Sequence, residues 1–514
     1  MRKILLISLL LAMVVGAQYM AWQQRSAIKV STETVAGNPV DHFRPQGESH
    51  GVVIVAHGFA SNKTMMRPWG YRLAAAGFDT YVIDEPGHGA SRQALPAWQT
   101  GGDEPLGVNL SAIIDELVSL KRAEPGRIAL VGHSMGGAAV TQAALADERV
   151  VATVAISSAY GKAIPADRPR NLLSLAAERD PAYMVEAVTA LAAQADGGKG
   201  ELDKMYVNAD QKSVRTSGVV PGRNHITILY DTGAMDRTAM WIAGPLGAEI
   251  RGAVTSGGYG WAWVVVALMA GMALVFTLAF QLSPPEVRRS ARNLPRMSLL
   301  TALGMVAVAA FVAVLAAAWF RIPWPRIAVA DYIMAYMLVL SLVLLALRLI
   351  WPRDYGFPVA SEPETDLGGL VRALVLLGAF VGVVGTIIHM NAANFVPTGA
   401  RLFMMIPLAI VLWFYGSQEE GLKRAVTNEF APWAGVVVGV AAKLLIVVTW
   451  MSASALPNPQ GFLPLIIPVV LPIFLLLEVV SYALNVWRYP PVGAAAFSSL
   501  VLAWSIAVTM PVLA

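Results

Sequence analysis

Eight stretches in the second half of the chain are apolar over most of a membrane-crossing length, and they limit the fold more than anything else in the sequence. They cover residues 261–282, 297–320, 328–350, 370–390, 402–415 (the shortest), 434–451, 462–487 and 492–513. A run of about 20 apolar residues matches a helix crossing a bilayer core. In lipid such a run must satisfy its backbone internally, which leaves the helix as its conformation. The 514 residues are 56% hydrophobic and only 14% charged, with a mean hydropathy of +0.57, too apolar for a soluble chain of this size. The surplus is one-sided, because residues from 25 to 250 have the composition of a soluble domain. Three parts follow: an N-terminal segment (1–24), a soluble domain (25–255) and a transmembrane domain of eight helices (256–514).

Arg2 and Lys3 precede an apolar run from Ile4 to Gly16, the pattern of a secretory signal with Ala17 at a cleavage point. The run continues to Trp22, long enough for an uncleaved signal-anchor helix, a ninth span. Both readings put the soluble domain on the extracytoplasmic side. With Arg2 and Lys3 inside, the inner loops hold Arg288, Arg289, Arg292, Arg296, Arg348, Arg353, Arg372, Lys423, Arg424 and Arg488. The outer loops hold only Arg321, Arg326 and Arg401. That bias follows the positive-inside rule for a multi-pass protein of the plasma or inner membrane. Lys443 and Glu478 lie inside apolar runs, where a charge is costly and faces a partner or water. They read as a structural pair or as part of a substrate or ion path. Pro464, Pro468 and Pro472 predict a bend in the Glu478 helix.

The soluble stretch alternates strands (52–56, 78–83, 128–131, 150–156, 172–176, 213–220) with helices (64–75, 110–122, 136–146, 181–193). That order predicts an α/β domain with a mostly parallel sheet covered on both faces. Its active site would lie beyond the carboxyl ends of the strands. At one such end, Ile128-Ala129-Leu130-Val131 runs into Gly132-His133-Ser134-Met135-Gly136-Gly137 and a small-residue helix. A strand, a tight glycine turn and a helix are what a nucleophile elbow requires. The helix start favours negative charge developing beside Ser134.

Four blocks in order make this region resemble the α/β-hydrolase superfamily of serine esterases and lipases. They are His57-Gly58-Phe59, Asp84-Glu85-Pro86-Gly87-His88-Gly89-Ala90-Ser91, Gly132-His133-Ser134-Met135-Gly136 and Gly222-Arg223-Asn224-His225. The resemblance implies a Ser-His-Asp triad. A serine hydroxyl needs a base, and the base needs a carboxylate to set its tautomer. Of seven histidines, His57 and His88 belong to the family's structural loops, His42 and His50 lie too early, and His389 is in the membrane half. His133 sits beside the nucleophile but points away. His225 remains, in the family's chain order Ser, Asp, His. The acid follows strand 172–176. Asp180 fits the family spacing, with Glu178 as the alternative, while Asp84 reads as a loop-fixing residue. The oxyanion hole would use the backbone N–H groups of Phe59 and Met135. The segment 158–171, where many family members carry a large lid, is short, which implies a compact hydrolase or a site capped by something else, such as the bilayer surface.

The expectation is a membrane-anchored serine hydrolase cleaving ester-type bonds, lipid acyl esters among them, through an acyl-enzyme. An acyltransferase passing the acyl group to a lipid or glycan alcohol would use the same triad. A non-catalytic membrane protein or transporter subunit with a hydrolase-fold binding domain is the third reading. The expected partners are the lipid bilayer and an ester or acyl-lipid substrate. No cofactor or metal is expected, no nucleic-acid motif or internal repeat is present, and no cysteine is available for a disulfide or thiol.

Overall fold

The computed structural model describes residues 2–96, 104–159, 164–165, 167–196, 200–207, 213–250, 259–283, 297–350, 367–427, 433–456, 463–487, 489 and 491–514. The chain divides into two compact units. One comprises Ala12–Leu268 with Ile387–Thr398 and Val508–Ala514; the other comprises Met1–Leu11, Met269–Thr386 and Gly399–Ala507.

The first unit takes in the N-terminal helix α1 (Arg2–Arg25) from Ala12 onward and is built on a nine-stranded sheet. Its elements in chain order are β1 (Lys29–Val35), β2 (Asn38–Arg44), β3 (Val52–Ala56), α2 (Lys63–Ala75), β4 (Asp79–Ile83), α3 (Glu104–Ser119) and β5 (Ile128–His133). They continue with α4 (Met135–Ala146), β6 (Val150–Ile156), β7 (Leu172–Arg179), α5 (Ala182–Asp196), β8 (Tyr206–Val207), β9 (Val214–Asn224) and α6 (Thr232–Ala243). The spatial order is β1-β2-β4-β3-β5-β6-β7-β9-β8. The six strands from β4 to β9 pair in parallel, while β1, β2 and β8 add antiparallel edges.

Period-2 alternation sorts the buried strands between two cores. Val53, Val55, Ala129 and Val131 meet Trp69 and Leu73 of α2 and Ile242 of α6. Val52, Ile54, Ile128 and Leu130 meet Leu110, Ile113 and Leu117 of α3 and Val140 of α4. The β1–β2 hairpin and α6 are absent from the sequence-based reading. β1 is Lys-Val-Ser-Thr-Glu-Thr-Val, with polar residues at most positions, and its turn is carried by Ala36 and Gly37 at φ 47° and 75°, not by an Asn-Gly pair. α6 announces itself only by Asp231, whose side chain accepts the Ala234 N–H.

The remaining helices are α7 (Trp261–Gln281), α8 (Leu299–Trp319), α9 (Ala330–Ile350), α10 (Leu367–Phe380), α11 (Thr386–Asn391), α12 (Arg401–Val426), α13 (Ala434–Ser452), α14 (Leu463–Val486) and α15 (Pro491–Thr509). A π-turn at Val381–Gly385 joins α10 to α11, making one continuous apolar stretch. Among the described residues eight helices, α1 included, are long and apolar enough to cross a membrane; α14 adds a shorter apolar helix, Val470–Val486.

The sequence-based span 402–415 stops short of the real helix. α12 continues eleven residues further, to Val426, and carries Glu419, Glu420 and Lys423 into the interior. There Lys443 of α13 lies 3.0 Å from Glu478 of α14, and it also contacts Glu419. Lys423 Nζ lies 2.9 Å from Glu478 and 2.8 Å from Glu420, and Ser481 bonds to both Lys423 and Glu420. Gly439 makes room for this network, since a Cβ there would lie 1.9 Å from Glu478 Oε2. Arg401, expected in an outer loop, opens α12 and is buried, donating to the Ala507 carbonyl at 2.6 Å. The loop basic residues Arg288, Arg289, Arg292, Arg296, Arg353 and Arg488 lie outside the described residues.

Candidate active site

The elbow is built as its sequence requires. Ser134 sits at φ 54°, ψ −118° between β5 and α4, a conformation that costs a non-glycine residue about 1–3 kcal/mol. Its neighbours explain the glycines. A Cβ on Gly132 would lie 2.1 Å from the Gly136 carbonyl oxygen, and one on Gly136 would lie 2.5 Å from that of His57. The Ser134 N–H is held by the Ile156 carbonyl of the adjacent strand at 2.8 Å.

Around this turn the structure collects the residues singled out above. His225 Nε2 lies 3.1 Å from Ser134 Oγ, and His225 Nδ1 lies 2.8 Å from Asp180 Oδ1. Asp180 follows β7, and His225 follows β9, the next strand in the sheet. Asp180 Oδ2 accepts two further hydrogen bonds, from Ser157 Oγ at 2.6 Å and from the Ala177 N–H at 2.7 Å. Burial pushes the Asp180 carboxyl up, but the bonds from His225, Ser157 and Ala177 outweigh it and hold the group below its ordinary value. It is therefore an anion facing Nδ1, which places the imidazole proton on Nδ1 and leaves Nε2 to accept from Ser134. Glu178 is spent elsewhere: its carboxylate accepts the Gly222 N–H at 2.6 Å, tying down the loop that carries His225.

Met135 opens α4, so its N–H is among the first four of that helix and has no acceptor within it. Phe59 lies in the loop after β3, its ring 5.9 Å from that of His88. Asp84 accepts the N–H groups of Lys63 and Ala90 at 2.7 and 2.9 Å, bracing the loop between Asp84 and Ser91. His57 accepts the Glu85 N–H at Nε2, and burial brings its pKa down to about 4, so it stays neutral.

Two contributors were missed from sequence. Ser157, at φ 49° beyond β6, anchors the Asp180 carboxylate. His133 does point away from Ser134, but its Nε2 donates to the His225 carbonyl at 2.9 Å. Burial, with His225 nearby, lowers its pKa to about 3. A serine after a strand and a histidine in a turn carry no local signal for either role. Residues 160–163 and 166 of the expected short lid segment lie outside the described residues. A separate cavity of about 890 Å³, lined by Arg25, Tyr71, Tyr230, Tyr259 and Trp261 among others, contains none of Ser134, Asp180 and His225.

A parallel sheet carrying a strained serine at a strand-to-helix turn, with histidine and aspartate on loops after later strands, defines an α/β-hydrolase fold. Residues 47–225 match the family model described as serine aminopeptidase, S33, which places this stretch among the α/β-hydrolases of the serine-hydrolase type. The chain is 34% identical over 134 residues to the dihydrolipoyllysine-residue acetyltransferase component of an acetoin cleaving system from Pseudomonas putida. That match covers 25% of this chain and 33% of the relative, so the chain spans about a third of that protein's length. Among solved structures, an esterase/lipase from an uncultured bacterium is 15% identical, covering 46% of this chain and 92% of its own, with a TM-score of 0.32. A puromycin-hydrolysing peptidase from Mycobacterium tuberculosis is 15% identical, covering 44% of this chain and 40% of its own, with a TM-score of 0.31.

Proposed function

We propose that this is a membrane-anchored serine hydrolase that cleaves ester-type bonds on the extracytoplasmic side. The observation carrying the proposal is the continuous chain Ser134 Oγ, His225, Asp180, with bonded distances of 3.1 and 2.8 Å, at a strained elbow. Ser134 Oγ attacks the carbonyl carbon while its proton passes to His225 Nε2. The carbonyl π pair moves onto oxygen, stabilised by the N–H groups of Met135 and Phe59. The tetrahedral intermediate collapses, and the leaving alkoxide departs with the proton from Nε2. Water then repeats the sequence on the acyl-enzyme, giving a carboxylic acid and free Ser134. Asp180 stays ionised throughout and stabilises the imidazolium. Among the described residues eight apolar helices of spanning length support the membrane anchoring, and the bias of arginines toward the inner loops, with the buried Lys423 and Arg401 set aside, supports the orientation.

The test is labelling of detergent-solubilised protein with a fluorophosphonate, beside Ser134→Ala and His225→Ala. The wild type should label and both variants should not. A folded wild type that neither labels nor turns over any ester refutes the reading.

A further inference from the structure

The hydrolase unit contains more than the soluble stretch of sequence. Ile387–Thr398 and Val508–Ala514 belong to it. Each adjoins the end of an apolar span, Val371–Asn391 in one case and Pro491–Thr509 in the other. Each is also bonded to one or both of two loops. One is the loop after β3, which passes Ser134 so closely that a Cβ on Gly58 would lie 3.0 Å from Ser134 Cβ; the other is the loop after β4, whose His88 ring meets Phe59.

The first segment holds the loop after β3. Asn62, three residues beyond Phe59, caps α2 by accepting the Thr64 N–H, and the same oxygen accepts the Asn394 N–H at 3.1 Å. Arg67 of α2 donates to the Met390 carbonyl at 3.0 Å, and Thr398 Oγ1 donates to the Gly89 carbonyl at 3.3 Å. The second segment holds the loop after β4. Val512 N–H donates to the Gly87 carbonyl at 2.8 Å, Leu95 N–H to the Val512 carbonyl at 2.7 Å, and Ala514 N–H to the Leu95 carbonyl at 3.0 Å. Leu95 and Leu513 form a parallel bridge. Gly87, at φ 79°, is a glycine in part because this segment passes so close: a Cβ there would lie 2.7 Å from the Val512 oxygen. Leu513 and Phe59 both pack against the cluster that contains Met135.

The separations set a scale. Asn394 is three residues past Asn391, and Val512 is three past Thr509. At about 3.3–3.6 Å per residue, chain of that length reaches at most about 10–11 Å. The polar layer outside the hydrocarbon core is roughly 5–8 Å thick on each side of a bilayer. The loops after β3 and β4 are therefore bonded to chain within three residues of the ends of two apolar spans, and the end of a span meets the polar edge of the hydrocarbon core. This is where a membrane lipid carries its ester carbonyls. Met390 and Val396 of the first segment are both about half exposed, and Val512 and Leu513 of the second are partly exposed.

Resting on the hydrolase reading above, we propose that the substrate is an acyl ester of a bilayer lipid, received across a rim formed by residues 390–398 and 512–513. The rim positions substrate and takes no part in the proton transfers.

The experiment compares full-length protein in phospholipid nanodiscs against two substrates. One is a diacyl phospholipid with a fluorogenic acyl chain, and the other is the soluble ester p-nitrophenyl butyrate. The ratio of lipid to soluble-ester turnover is the readout, for wild type, Val396→Asp and Met390→Asp, with fluorophosphonate labelling reporting an intact site. The expected result is lipid turnover by the wild type and a ratio at least tenfold lower in both variants. Wild type that cleaves the soluble ester but no lipid overturns the substrate assignment, as does an unchanged ratio in labelled variants. Wild type that cleaves neither overturns the hydrolase reading instead. If one variant loses labelling, the other decides.

Discussion

Replacing Asp180 by asparagine tests the geometry of the site more sharply than removing Ser134. The side chain keeps its shape, but its orientation is forced. Oδ2 accepts the Ala177 N–H at 2.7 Å, a main-chain donor that cannot reverse. The asparagine must therefore place its carbonyl oxygen there and its NH2 at the position of Oδ1, facing His225 Nδ1, now 2.8 Å away. Two donors cannot share that contact, so the imidazole proton moves to Nε2. The nitrogen that should accept from Ser134 then carries a hydrogen. A wrong tautomer in intact geometry costs about ten-thousandfold in kcat, or roughly 5.5 kcal/mol of barrier. Glu178→Gln is the matched control, because a glutamine carbonyl can still accept the Gly222 N–H that Glu178 accepts at 2.6 Å; its rate should stay within about fivefold. The assay is the rate of fluorophosphonate labelling together with kcat on p-nitrophenyl butyrate at pH 7.5. Asp180→Asn within tenfold of wild type, or Glu178→Gln slower than Asp180→Asn, refutes the assignment of the acid.

Three further outcomes follow from the same geometry. Gly132→Ala puts a methyl 2.1 Å from the Gly136 oxygen and should abolish labelling with a large drop in melting temperature, whereas normal labelling would contradict the elbow geometry. His57 and His133 are buried, with pKa values brought down to about 4 and about 3 from 6.5. Their folded values lie below the unfolded ones, so their contribution to stability is complete above about pH 6.5 and is lost as the pH falls toward 4. A melting temperature unchanged from pH 7.5 to 4.5 would count against this, and His57→Gln should flatten the slope. Lys443→Met strips Glu419 and Glu478 of a shared ammonium and should destabilise the detergent-solubilised protein by about 3–5 kcal/mol. Adding Glu419→Gln should restore part of that, as read by thermal melting; equal melting of wild type and single variant would refute it.

The site was legible because its parts are local sequence with global consequences. A glycine on each side of Ser134 marks a turn that no Cβ could share, and Asp180 follows a largely apolar strand that announces a parallel sheet, whereas His225, after the more polar β9, is found through the chain order Ser, Asp, His that the resemblance implies. The residues that hold those parts were not legible. Ser157 reaches Asp180, and His133 reaches the carbonyl of His225 ninety-two residues away, through contacts that exist only once β5, β6, β7 and β9 lie in register. The β1–β2 hairpin was lost for a different reason: β1 is an edge strand, and its largely polar sequence resembles a loop.

The helical half shows the same division at higher cost. Lys443 and Glu478 stood out because a charge inside an apolar run breaks composition. Glu419, Glu420 and Lys423 did not, because they follow Ser417-Gln418 in a stretch whose polarity reads as the end of a span. The helix nevertheless continues through them to Val426, since Lys443 and Glu478 need partners in the interior and those carboxylates and that ammonium supply them. Three acids from two helices and two lysines from two helices make an alternating chain, Glu419, Lys443, Glu478, Lys423, Glu420. In such a chain each charge is tolerable only because the next is present. Polarity along α12 therefore marks a meeting with α13 and α14, and the length of a buried helix cannot be read from its own residues alone.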